Sequence, residues 1–256
     1  MEGPNPTPKK RAPRVADVAA LEALTAELLA IPDTASLEAV KDLLGKNYLG
    51  PEVLKAVLGV RDVGAVPPLP RDIIQILNED CQFKPGKKVH ETHLLVFIPA
   101  KVDGAKFTVN RLRAMTIDKG TIFYNGGYDQ EPFANTAKQT GEWVLMPKYL
   151  VPGTRTSKGV NYPEQSEILA RNHPKYRTAQ ALGLITGLVL NKLQGGNNGD
   201  FKTLYGWCEE QTKLANNLPG ARVYAGGFDA SGLLVNRRGE SDRYDLLGRV
   251  AFRNLN

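Results

Sequence analysis

His90-Glu-Thr-His93 sets two imidazoles and a carboxylate within four residues, the raw material of a metal or acid–base site. A zinc-binding His-Glu-x-x-His helix needs its histidines four residues apart on one face, with the glutamate as general base. This motif is one residue short of that spacing. Its context favours a strand, in which His90 and His93 point to opposite faces. No metal site is therefore expected. His93 is retained as the sole acid–base candidate, with hydrogen bonding inside the core as the plainer reading.

The two cysteines, Cys81 and Cys208, match no nucleophile motif and read as small buried hydrophobes. Anion recognition has better material. Thr154-Arg-Thr-Ser-Lys158-Gly offers two cations, Arg155 and Lys158, and three hydroxyls beside glycines, donors suited to a phosphate or carboxylate. Lys84, Lys87 and Lys88 surround Pro85-Gly86 as a second basic cluster, and Arg237-Arg238 form a third. Neither the phosphate-loop nor the dinucleotide glycine spacing occurs, so no cofactor is implied. Tyr149, Tyr162 and Tyr176 could stack on nucleobases, but serve equally as core or rim residues. Asp229-Ala-Ser-Gly232 reads as a turn whose side chains satisfy its own backbone. Glu209 and Glu210 are adjacent, and on a helix they would point away from a shared site.

These side chains need a frame. The run His93–Ile98, entered from the basic turn Lys84–Lys88, is apolar after its histidine and predicts a strand buried on both faces. Trp143–Met146 and Thr121–Tyr124 predict further strands. Asp103-Gly104 suits a hairpin turn, although Thr108 as N-cap of a helix through Val109 and Leu112 fits slightly better. Pro163 opens a helix to about Arg171. The segment 174–193 is the strongest helix candidate, its Ala179, Gly183 and Gly187 making a smooth face. Arg222–Tyr224, Leu233–Val235 and about Tyr244–Phe252 predict a C-terminal antiparallel meander. Upstream, Val18, Leu21, Leu24, Leu28 and Leu29 recur at helical spacing, and two shorter helices follow before residue 58. Gly59, Gly64, Pro67, Pro68 and Pro70 interrupt regular structure. The resulting division is a disordered basic tail over 1–14, a helical unit over 15–58, a Pro/Gly linker over 59–70 and a main domain over 71–256. The fold class is α+β, with a buried central strand and a long packed helix.

Charge narrows the partners. Of the net +6, residues 1–70 contribute −1 (eight basic, nine acidic) and residues 71–256 contribute +7 (25 basic, 18 acidic). The body can therefore meet a polyanion, without being required to. No apolar stretch is long enough for a membrane span, and no secretory leader is recognised. With only two distant cysteines, a reducing cytoplasm is the expected location.

Phe83-Lys-Pro-Gly-Lys-Lys-Val…Thr92-His-Leu-Leu, Glu142-Trp-Val-Leu-Met-Pro…Pro152-Gly-Thr-Arg and Gly227-Phe-Asp…Gly232-Leu-Leu-Val together resemble an uncharacterised group of bacterial proteins of unknown function, over about residues 77–256. That resemblance implies a bacterial origin and a single domain over the region. It transfers no activity. The reading that follows is a non-enzymatic cytoplasmic binding or assembly protein, recognising a protein or anionic partner or self-associating. One alternative is an enzyme on a small anionic or phosphorylated substrate, with Lys88, Arg155 and Lys158 holding the anion and His93 as acid or base. The other is a nucleic-acid-binding module.

Overall fold

The computed structural model describes residues 34–124, 127–213 and 220–255. The expected tail over 1–14 and the first helix after Val15 lie outside the described residues.

The centre is the strand His93–Ile98 (β2), and every one of its six residues is buried. Such a strand must be paired on both edges and covered on both faces. Tyr48–Leu49 (β1) pairs with it in parallel, and Glu142–Pro147 (β5) in antiparallel register, His93 opposite Pro147 and Ile98 opposite Glu142. Beyond β5 lie Ala251–Arg253 (β11) and Tyr176–Thr178 (β6), completing a five-stranded sheet in the order β1-β2-β5-β11-β6. A second sheet is ordered β10-β7-β8-β9, from Leu247–Arg249 (β10), Tyr205–Gln211 (β7), Ala221–Asp229 (β8) and Gly232–Gly239 (β9). β10 runs parallel to β7. Lys101–Val102 (β3) and Ala105–Lys106 (β4) form a hairpin turned by Asp103 and Gly104, both at positive φ (48° and 75°), which is the geometry of a two-residue primed turn. The fold is α+β.

The helix Ala181–Leu193 (α8) is the other half of the core. Eleven of its residues, Ala181 to Asn191, are buried, so it is apolar all round rather than amphipathic. Its glycines are points of close approach. A Cβ on Gly183 would lie 2.7 Å from the Phe252 ring, and one on Gly187 would lie 2.8 Å from Met146 Cε. Sequence reading began this helix at Pro174. Instead Tyr176–Thr178 pairs with β11, and the helix starts at Ala181 after an extended Gln180.

Two further expectations change. Ser36–Asn256 form one compact unit. The helix Thr34–Leu44 (α1) contributes Val40 and Leu44, both in this unit, to a cluster with β2 residue Leu95. The helix Pro51–Leu58 (α2) contributes Leu54 and Leu58 to the core that also holds Leu94 and Leu184. The break expected at 59–70 is therefore not a boundary: β1, before it, belongs to the central sheet. Nor is Tyr244–Phe252 one strand of a meander. It divides at Val250 between β10 in one sheet and β11 in the other, which ties the two sheets together covalently. Thr121–Tyr124 makes only an isolated bridge, Phe123 with Leu233.

Shorter elements follow local rules. Ile73–Leu77 (α3) and Val89–Thr92 (α4) precede β2. Val109–Ala114 (α5) is capped by the Thr108 hydroxyl, which accepts from Arg111 N–H. Pro132–Asn135 (α6) has proline in its first turn. Tyr162–Asn172 (α7) opens with a reciprocal capping box of Asn161 and Glu164.

Candidate functional site

His93 is fully buried at the start of β2. Its Nε2 lies 3.1 Å from the Tyr176 hydroxyl and its Nδ1 2.9 Å from Thr92 Oγ1. Thr92 donates its one proton to a carbonyl, Lys88 O at 3.0 Å, so its oxygen must accept from His93 Nδ1–H. Nε2 is then the acceptor for Tyr176 O–H. Burial, reinforced by the Arg253 cation, lowers the His93 pKa to about 3. The ring is held neutral inside a directional chain of hydrogen bonds, walled by Phe83. It has no route to a substrate in this arrangement. His90 turns elsewhere, to Leu77 O at 3.1 Å, and no His/Cys/Asp/Glu group fit for a metal exists among the described residues.

The five anion-binding candidates are all exposed, and four of them have local partners. Lys87 pairs with Glu91 at 2.8 Å and Lys88 with Asp80 at 2.7 Å. Lys84 sits over the Tyr149 ring, 5.4 Å from its centroid. Arg155 donates from Nε to Asp245 O at 2.6 Å, on the loop that packs against β10, and Lys158 lies on the same loop. Among the described residues, the hydrogen-bond partners of the His93 ring are Thr92 and Tyr176, and none of these five side chains is among them. The third basic pair is also engaged, Arg237 with Glu131 at 3.2 Å and Arg238 with Asp242 at 3.3 Å. Cys81 and Cys208 are both buried, and burial raises the Cys208 thiol well above its ordinary value.

Polar and apolar groups do converge elsewhere, at the N-terminus of α8. The pairing of β7 with β8 is irregular between Trp207 and Gln211, and there Glu209 is exposed while Glu210 turns towards the helix. Both carboxylate oxygens of Glu210 accept from Ala181 N–H, at 3.0 and 2.9 Å. The helix lacks a side-chain cap from Gln180, so Glu210 supplies from across the fold the negative group that helix N-termini favour. Burial raises the Glu210 pKa, against the lowering effect of that N–H and of Lys138. Lys138 bridges to Glu142 at 2.7 Å and hydrogen-bonds Gln180 Oε1.

Between these groups lies a cleft of about 270 Å³, floored by Phe133 and Leu182 and rimmed by Thr136, Lys138, Gln180 and Glu210. The next residues of the same segment, Gln139-Thr140-Gly141, line a second hollow of about 410 Å³ with Val63–Pro67 and Ala100. On the other side of Phe133, a chamber of about 80 Å³ is lined by Tyr128, Glu131 and Arg237. Burial pushes the Tyr128 phenol up to about 12. α6 is fixed as the partition by Asn135, whose side chain donates to Asp129 O at 2.8 Å.

None of these cleft residues was singled out as a site from sequence. Of them only Glu210 enters the sequence reading, as half of a pair with Glu209 on a helix, and the irregular pairing of β7 leaves no simple periodicity to mark it. Comparison with known proteins adds nothing to the geometry: no family model, curated protein or solved structure matches the chain.

Proposed function

We propose that this chain is a binding protein that engages a protein partner along residues 136–141, without acting chemically on it. One observation carries the reading. Two hollows flank a single segment, and the smaller combines an apolar floor (Phe133, Leu182) with an amphoteric rim (Lys138, Gln180, Glu210). At about 270 Å³ that cleft falls just below the roughly 300–1,000 Å³ of typical small-molecule sites, and suits one anchoring side chain. The rim then offers donors and acceptors to the partner's backbone. Against the enzyme alternative, His93 is sealed and four of the five anion candidates are engaged by local partners. A cytoplasmic setting fits two buried free thiols. No described helix is long and apolar enough to cross a membrane.

The test compares co-purification by wild type and by Thr136→Trp, which plugs the cleft from an exposed position. A stoichiometric protein retained by wild type and by a Lys84/Lys87/Lys88→Glu triple variant, but lost from Thr136→Trp, supports the reading. Equal retention by Thr136→Trp overturns it. So does salt-sensitive recovery of nucleic acid that depends on the three lysines.

A further inference from the structure

Arg249 is buried completely in β10, yet no ion pair neutralises it among the described residues. Its Nη2 donates to Ser166 Oγ and to Tyr162 O at 3.4 Å. Among the described residues its Nε and Nη1 have no hydrogen-bond partner. Trp207 stands directly opposite Arg249 in the parallel β10–β7 register, so the two side chains share one face of the sheet. The Trp207 indole is likewise fully buried, and its N–H has no hydrogen-bond partner among the described residues.

Tyr162 joins the two, its ring centroid 3.8 Å from the Arg249 guanidinium carbon and 5.6 Å from the Trp207 ring. A second guanidinium, Arg222, lies 4.2 Å from the same centroid, and its charge is met by Glu240. The nearby Arg243 is met by Glu164. Arg249 is thus the one guanidinium of this group without a carboxylate. Guanidinium and indole are donors only, and a buried cation with open donors is strongly unfavourable unless an anion or water completes it. The π face of Tyr162 compensates part of the charge and none of the missing hydrogen bonds.

We infer that the space between β10, β7 and α7 is a binding site for a small inorganic anion of the halide class, held by Arg249 Nε and Nη1 and by Trp207 Nε1–H. The wall decides the size. Leu247, Tyr162 and Tyr224 are buried in one cluster with Trp207, so the occupant must be compact and enter by local opening. The Gln165 amide, anchored by its NH2 to Val160 O and Leu247 O, leaves Oε1 unpaired. That oxygen marks water as the competing occupant, since it repels an anion but welcomes a bridging donor. This site is independent of the cleft at Phe133, and either can fail alone.

The experiment measures urea unfolding of the full chain in sodium bromide or chloride against sodium gluconate at matched ionic strength. For wild type, halide at ten times its dissociation constant should lower the unfolding constant roughly tenfold, with saturation. Arg249→Met, which keeps the length and removes the charge, should show no halide effect. Should that variant not fold, bromide-soaked wild-type crystals give a second reading, with an anomalous peak expected against Arg249 and Trp207. Equal wild-type stability in halide and gluconate overturns the inference, whether the crystals show water or a bromide bound at crystal concentration only.

Discussion

His93 supplies the sharpest test of how the core is built. Its neutral ring links the Tyr176 hydroxyl to Thr92, and the Arg253 cation behind Tyr176 reaches Glu79 at 2.7 Å. Protonation would put a second N–H against the Tyr176 O–H and add a charge beside Arg253. With a folded pKa of about 3 against 6.5 unfolded, the unfolded chain binds one more proton throughout the interval. Stability from this residue is therefore complete above pH 6.5 and is lost as pH falls towards 3. Between pH 7 and pH 5 the loss works out at about 2 kcal/mol, approaching ~1.4 kcal/mol per pH unit at the lower end.

The proper control is His93→Gln, which retains an acceptor for Tyr176 and a donor for Thr92 but cannot titrate. Urea denaturation of both proteins at pH 5, 6 and 7 gives the difference of differences. His173, also lowered by burial, contributes with the same sign and cancels in the comparison. Glu210, raised by burial, contributes with the opposite sign and cancels likewise. The variant should lose about 2 kcal/mol less than wild type on moving from pH 7 to pH 5. A double difference below about 0.5 kcal/mol would mean that His93 ionises in the folded state, and the sealed hydrogen-bond chain would be wrong. Histidine ring resonances give an independent check: one imidazole should not titrate between pH 5 and 8.

Gly183→Ala should destabilise by about 1–3 kcal/mol, because the new methyl meets the Phe252 ring at 2.7 Å and outweighs the gain in helix propensity. Gly187→Ala meets the flexible end of Met146 and should cost less, so a reversed order in thermal denaturation would refute the packing argument. Glu210→Gln removes a carboxylate whose raised pKa makes the fold lose stability as pH rises through it, so the variant should gain on wild type from pH 4.5 to 7. An unchanged difference across that range would count against it. Neither Cys81 nor Cys208 should react with a bulky disulfide reagent before unfolding, and rapid native labelling would show that the burial is misplaced.

The fold was legible wherever one segment's own composition settled its environment. Leu94–Ile98 is apolar at every position, which only a doubly covered strand or a buried helix tolerates, and its β-branched and aromatic content decided between them. Composition failed where the partner decides the state. Tyr176-Arg-Thr178 has no strong preference of its own and becomes a strand because β11 offers it an edge. Tyr244–Phe252 carries no glycine or proline between Arg249 and Ala251 to announce that the chain changes sheets there. The linker expected at 59–70 failed for a related reason. Its prolines exclude helix and strand but not packing, and Pro67 O accepts from the Trp143 indole at 2.9 Å, pinning that segment against β5.

The sites were less legible because sequence motifs report local spacing, whereas both sites here depend on groups far apart in the chain. Lys138, Gln180 and Glu210 meet only after β7 pairs in its sheet and α8 begins at Ala181, and a one-residue slip in β7 would exchange Glu210 for Glu209. Arg249 left one trace, a lone cation inside Leu246-Leu-Gly-Arg-Val-Ala-Phe252. The exposed basic clusters drew attention by their density, yet density is what surface solvation looks like, and four of those five cations have local partners. An unpaired charge in an apolar run is the stronger signal. Burying it costs several kcal/mol, and a chain retains such a residue where something in the folded molecule answers its charge.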